Sequence, residues 1–212
     1  MQITKVLFLA PHISTGGMPQ YLLKILESLS EFETYVVEYN NISPHYIVQK
    51  EKIKQLVGDN RFFTLEKDKR ELYKILDRIR PDILHLQEIP ELFMDYEITK
   101  EIYEARRSFL IYETTHSSDF DVSEKVFLPD KFIFVCPFSE IQYSRFNIPS
   151  EIIEYPIDKC IKNRQLALDD LKLDVNLKHI IIIGLFTPRK NQAYIFELAR
   201  LLLNYPIQFH FL

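Results

Sequence analysis

Short apolar runs recur along this chain, and stretches with helical spacing of apolar residues separate them. The runs hold residues 6–9, 35–39, 83–86, 109–112 and 132–135, with a shorter one around residue 62. An apolar run without polar alternation is typical of a strand that is buried on both faces of a sheet. Strands that alternate with helices form a parallel sheet with helices on both sides. The sequence therefore predicts an α/β fold built on a doubly wound parallel sheet.

Helices are predicted between these strands. Pro19, a residue favoured at a first helical position, opens the first helix. Others are predicted at residues 47–57, 67–79, 91–107 and 140–146.

The alternation breaks after residue 157 and then starts again. Residues 158–178 are charged and poorly periodic, so they are predicted to be a linker. Residues 180–183 form an isoleucine run that ends at a glycine, and a basic loop, a helix pattern and a second strand from residue 208 follow. The predicted organisation is a domain at residues 1–157, the linker at 158–178, and the truncated start of a second, similar domain at 179–212.

Charge and cysteine content exclude several classes of protein. The chain has 26 basic and 30 acidic residues and a net charge of −4, whereas nucleic-acid-binding proteins usually carry a basic footprint. Cys136 and Cys160 lack metal-type spacing and are interpreted as reduced thiols. No apolar run has the length of a secretory core or a membrane span, which predicts a cytoplasmic protein. The basic residues around the helix at 67–79 indicate a solvated face, with peripheral membrane contact as the alternative.

Two loops have features of an anion site at the carboxyl ends of predicted strands, where ligands of open parallel sheets collect. Gly16 and Gly17 follow the first strand and let the backbone approach a ligand beside the free N–H groups of a helix start. Arg189 and Lys190 follow the isoleucine strand just before a helix, a suitable place to hold a phosphate. The alternatives are an ordinary glycine turn and a solvated basic turn, and the residues alone favour these alternatives.

Other polar residues near strand ends are further candidates for a functional role. His116 lies just past a strand and could bind a sugar hydroxyl, with a structural role as the equal alternative. Asp119 and Asp121 have a spacing that can chelate a divalent ion, but chance explains the pair better. His85 lies inside a strand and is interpreted as a core residue, and Ser139 as the start of a helix capping box.

Taken together, these stretches resemble retaining nucleotide-sugar glycosyltransferases of the GT-B fold, of the group 1 type. The resemblance covers nearly the whole chain, as a Rossmann-like N-terminal domain and the beginning of a C-terminal one. Its residues are Gly16-Gly17, Pro81-Asp82-Ile83-Leu84-His85, Thr114-Thr115-His116, Ser139, and Gly184-Leu185-Phe186-Thr187-Pro188-Arg189-Lys190-Asn191.

The resemblance implies roles for particular residues. Lys190 matches the lysine that grips the donor diphosphate, with Arg189 beside it, while Gly16 and Gly17 match the loop that closes over the reacting phosphate and sugar. His116 matches the histidine near the reaction centre. The family generally uses no catalytic metal and no cofactor. Its partners are a nucleotide-sugar donor and a glycan, lipid-linked or small-molecule acceptor.

The chain departs from the family at Leu185, where arginine is usual, and at Ser117, where aspartate is frequent. The family's C-terminal glutamate pair has no counterpart, so the 212-residue chain alone is expected to be inactive and to need a further C-terminal domain. Acceptor contacts are expected from loops at residues 40–46 and 119–128. The first hypothesis is therefore a glycosyltransferase or a fragment of one. The alternative is a non-catalytic acceptor- or partner-binding domain of the same ancestry.

Overall fold

The computed structural model describes residues 3–40, 47–159, 163–184 and 186–212, without the side chain of Arg189. By their contacts the residues divide into two units, 1–157 and 158–212. The first unit holds a seven-stranded sheet with the strand order β3-β2-β1-β4-β5-β6-β7, in which all neighbours are parallel. The strands are β1 (Lys5–Ala10), β2 (Glu33–Glu38), β3 (Phe62–Thr64), β4 (Ile83–Leu86), β5 (Leu110–Thr115), β6 (Lys131–Phe134) and β7 (Ser150–Ile152).

Helices cover both faces of this sheet, which confirms the predicted doubly wound, Rossmann-like α/β fold. They are α1 (Gly17–Ser28), α2 (Lys50–Val57), α3 (Glu71–Ile79), α4 (Tyr96–Glu104) and α5 (Pro137–Tyr143). Alternate residues of β1 serve the two faces: Phe8 packs with the core under α1 and α2, and Leu7 and Leu9 with the core under α3 and α4. Burial on both faces explains why the strand reads as one apolar run.

The order in which strands are added to the sheet reverses at β1, because β2 and β3 lie on one side of it and β4 to β7 on the other. β1 lies between β2 and β4, so the connections that follow β1 and β4 leave towards opposite sides. In open parallel sheets such a switch point marks the ligand-binding crevice, at the carboxyl ends of the two strands. The loop that contains Gly16 and Gly17 follows β1 at this point.

The structure corrects several predicted elements. β7 was missed because its residues are half-buried to exposed at the sheet edge and form no apolar run. The helix predicted at 91–107 is shorter, since residues 90–92 form a separate 3₁₀ turn before α4. The capping box at Ser139 is wrong, because α5 begins two residues earlier, at Pro137, with Cys136 as its N-cap. Pro137 starts the helix because its missing N–H and fixed φ suit the first position.

The second unit repeats the strand–helix–strand order. β8 (Lys178–Ile182) pairs in parallel with β9 (Ile207–Phe211), and α7 (Gln192–Leu201) connects them. The predicted linker contains a helix, α6 (Arg164–Leu171). It was not predicted because its charged residues interrupt the apolar periodicity. The Asn163 side chain caps this helix by accepting a hydrogen bond from the Leu166 N–H. Among the helices of the described residues, none is long and apolar enough to cross a membrane.

Candidate functional site

The buried carboxylate of Glu38 fixes the loop after β1. Glu38, at the end of β2, accepts hydrogen bonds from the Ile13 N–H at 2.9 Å and from Lys50 Nζ at 2.6 Å. The Ser14 hydroxyl is paired with His12 Nδ1 at 2.7 Å. These contacts fix the buried beginning of the loop and leave residues 15–17 exposed at the crevice.

The two loop glycines have different reasons to be glycine. Gly16 has φ 124° and ψ −176°, a conformation that side chains other than glycine rarely adopt. At Gly17 a Cβ atom would lie 3.3 Å from both the hydroxyl and a ring carbon of Tyr155. The first glycine makes the turn into α1, and the second makes room for an aromatic side chain. α1 begins at Gly17, so its unpaired N–H groups start at the crevice.

His116 lies directly after β5, in the same part of the sheet edge. Its Nδ1 is 2.7 Å from the Tyr155 hydroxyl, and the rings of Tyr21 and Tyr155 meet it edge-on at centroid distances of 5.0 and 5.6 Å. Burial lowers the pKa of His116 to about 4, so the imidazole is neutral at pH 7. Its Nε2 is buried and has no hydrogen-bond partner within the described residues. The structure thus links Gly17 and His116 through Tyr155.

Glu88 was missed in the sequence and organises this edge. It follows β4 and accepts hydrogen bonds from the backbone N–H groups of Ile89, His116 and Ser117 and from the Ser117 hydroxyl, at 2.8 to 3.3 Å. Burial raises the pKa of the Glu88 carboxyl, and these hydrogen bonds oppose the rise. An acidic residue two positions after an apolar strand was the signal that could have revealed it. The Ser117 hydroxyl thus donates to Glu88.

A buried ion cluster supports the loop that follows His116. The Lys125 side chain is fully buried and lies 2.8 Å from Glu91 Oε2 and 2.9 Å from Glu113 Oε2. The other Glu91 oxygen accepts hydrogen bonds from the backbone N–H groups of Val126 and Phe127. Burial raises the pKa of Glu113 to about 8, against the opposing effect of Lys125. The cluster therefore joins the loops after β4 and β5 beneath the candidate site.

The second unit presents its own candidate loop after β8. Gly184 has φ 132°, and the Lys190 side chain runs 3.4 Å from the place where a Cβ of Gly184 would lie. Gln192, the first residue of α7, bridges the loop by accepting from the Thr187 N–H and donating to the Gly184 carbonyl. Lys190 is exposed beside the start of α7. Leu185 and the side chain of Arg189 lie outside the described part of the chain.

The remaining predicted candidates have structural contacts. Asp121 caps a 3₁₀ turn by accepting from both the backbone N–H and the hydroxyl of Ser123, while Asp119 is exposed. His85 Nε2 is 2.8 Å from the Thr114 hydroxyl, and burial lowers the His85 pKa to about 3. In the acceptor loop expected at residues 40–46, residues 41–46 lie outside the described part of the chain, and so does Cys160.

Comparison of the sequence with models of protein families and with curated proteins finds no match. Solved structures do match. HepE of Anabaena, in complex with UDP and glucose, gives a TM-score of 0.63 at 12% identity over 98% of this chain and 69% of that one. MnaA of S. aureus, with UDP, gives 0.52 at 14% identity over 99% and 62%. Sucrose-phosphate synthase from Thermosynechococcus elongatus gives 0.51 at 11% identity over 97% and 70%.

These similarities show the fold, which is Rossmann-like and similar to that of GT-B glycosyltransferases. The chain spans 62 to 70% of the length of the three structures.

Proposed function

We propose that the chain takes part in glycosyl transfer from a nucleotide-sugar donor, with retention at the anomeric carbon and without a catalytic metal. The observation that carries the proposal is the position of Gly16, Gly17 and His116 at one carboxyl edge of a sheet, in a fold whose solved counterparts include two with bound UDP. Carboxyl edges are where such sheets bind ligands.

In this proposal residues 1–157 form the acceptor-side domain and residues 179–212 begin the donor-binding domain. Lys190, with Arg189, holds the diphosphate beside the unpaired N–H groups at the start of α7. Gly16 and Gly17 bring backbone N–H groups to the reacting phosphate, and His116 contacts the sugar. The protein's contribution is then electrostatic, since fixed positive groups stabilise the charge that develops on the leaving diphosphate. The acceptor is a glycan, a lipid-linked or a small-molecule hydroxyl.

Titration of the purified chain with UDP tests the donor site. Replacement Lys190→Ala should weaken UDP binding about tenfold, because a charge-assisted contact to a phosphate contributes roughly 1–3 kcal/mol. Isothermal titration calorimetry at low salt measures the dissociation constants of both proteins.

Lys178→Ala is the matched control, because Lys178 is also an exposed lysine of the second unit but lies at the amino end of β8. It should leave UDP affinity unchanged. Equal affinities of wild type and Lys190→Ala would remove Lys190 from the site. If UDP and nucleotide sugars fail to bind while a glycan acceptor binds, the chain is instead an acceptor-binding domain without transferase activity.

A further inference from the structure

The phenol of Tyr155 is held in place by α1 and by His116, the residue that follows β5. The segment after β7 is anchored to α1, because the Tyr21 hydroxyl donates to the Ile153 carbonyl at 3.2 Å. The Tyr155 ring meets the Tyr21 ring edge-on at 5.2 Å. Gly17 leaves the space that the phenol occupies, and His116 Nδ1 lies 2.7 Å from its hydroxyl.

We propose that Tyr155 is a positioning residue that fixes the tautomer of His116. The phenol O–H donates to Nδ1, the imidazole proton is therefore on Nε2, and through Nε2 His116 can only donate a hydrogen bond. The ligand is an oxygen acceptor, such as a sugar hydroxyl or a phosphate oxygen. The identity of this ligand rests on the function proposed above, whereas the tautomer does not.

The direction of the hydrogen bond follows from the chemistry of the two groups. A phenol is a good donor and a neutral imidazole nitrogen a good acceptor, while the phenol oxygen accepts more weakly. Both groups are neutral at pH 7, because burial lowers the pKa of His116 to about 4 and raises that of Tyr155 to about 12. In the reverse direction the phenol oxygen would act in its weaker role as acceptor, and its proton would turn to solvent, since Tyr155 is 39% exposed. The hydrogen bond at one imidazole nitrogen decides which nitrogen carries the proton.

This tautomer limits what His116 can do. Nε2 is the nitrogen that lies buried without a partner within the described residues. With its proton in place it can donate to a ligand oxygen, but it cannot accept a proton from an attacking hydroxyl. His116 would then orient or stabilise the sugar and would not serve as a general base through Nε2.

The tautomer can be read directly by NMR on the ¹⁵N-labelled full chain. Long-range ¹H–¹⁵N correlations at pH 7 distinguish a protonated from a bare imidazole nitrogen, and the signals of His116 are those missing in His116→Gln. We expect Nε2–H with a bare Nδ1 in the wild type. In Tyr155→Phe the ring remains and the donor is lost, so the tautomer ratio should move about fivefold towards Nδ1–H, as for the loss of one hydrogen bond.

Two further variants make the result specific. Tyr143→Phe removes a buried hydroxyl that has no partner among the described residues, and it should leave the His116 signals unchanged. Gly17→Ala should push the phenol away from His116 and shift the tautomer in the same direction as Tyr155→Phe. A wild-type proton on Nδ1, or identical His116 signals in wild type and Tyr155→Phe, overturns the proposal. The Nε2–H tautomer in a chain that binds no nucleotide supports the positioning role and counts against the proposed donor site.

Discussion

Replacement Lys125→Met should lower the free energy of unfolding by about 3–5 kcal/mol, the usual cost of removing one partner from a buried ion pair. The Lys125 side chain is fully buried between Glu91 and Glu113, whose side chains are 12% and 0% exposed. Methionine fills a similar volume but leaves the Glu91 carboxylate without its cation and Glu113 without its hydrogen-bond donor. Urea denaturation followed by circular dichroism measures the loss.

Lys131→Met is the matched control for this variant. Lys131 pairs with Glu151 at 2.8 Å, but its partner is 61% exposed, and exposed pairs contribute less than about 1 kcal/mol. The double variant Lys125→Met with Glu113→Gln should recover part of the lost stability, because glutamine cannot ionise in the buried place that has lost its cation. A cost for Lys125→Met no larger than that for Lys131→Met would contradict the assigned cluster.

The same cluster should make stability depend on pH. The pKa of Glu113 rises from 4.5 to about 8 on folding, since burial favours the neutral carboxyl. The contribution of Glu113 to the free energy of unfolding is therefore complete below about pH 4.5 and is lost as the pH rises through about 8. His12, His85 and His116 have lowered pKa values and act in the opposite sense below pH 6.5. Glu113→Gln removes only the first effect.

This effect can be measured by comparing the unfolding free energies of wild type and Glu113→Gln between pH 5 and about 9. The wild type should lose stability relative to the variant as the pH increases. A difference in unfolding free energy that stays constant over this range would show that Glu113 titrates near its ordinary pKa.

Replacement Glu88→Ala should cost about 2–3 kcal/mol of stability and loosen the edge around His116. The carboxylate accepts from three backbone N–H groups and one hydroxyl, and each buried donor that loses its acceptor costs roughly 1–3 kcal/mol, partly recovered by water. Hydrogen exchange should accelerate at the amides of His116 and Ser117, which lose their acceptor, and change little in β1 and β4.

Glu88→Gln retains a carbonyl oxygen and should lose less stability and less protection than Glu88→Ala. If exchange at His116 and Ser117 is the same in wild type and Glu88→Ala, then Glu88 does not hold the loop after β5.

The fold was predictable because the apolar pattern of each strand and helix lies within its own stretch of sequence. A strand that is buried on both faces needs an unbroken apolar run, and Val6, Leu7, Phe8 and Leu9 of β1 are all buried. The periodic helices between such runs then allow few arrangements other than a parallel sheet. The edge strand β7 lay beyond this reasoning, because a strand that is half-exposed at an edge does not need an apolar sequence.

The candidate residues divide in the same way. Gly16, Gly17, His116 and Lys190 were identified from their position just after a predicted strand, and their roles stay predictions. Glu88, Tyr155 and Lys125 acquire a role only through partners far away in the chain. Glu88 and His116 are 28 residues apart, and His116 and Tyr155 are 39 apart.

The sequence by itself determined the alternation of strands and helices, because each element needs its own pattern of apolar residues. Only the tertiary structure decided which polar side chains meet at the carboxyl edge. Strand order brings the ends of β4, β5 and β7 to one side of the sheet, and no local pattern encodes that order. A buried glutamate, lysine or tyrosine hydroxyl is stable only with its partner, and the partner is supplied by the fold.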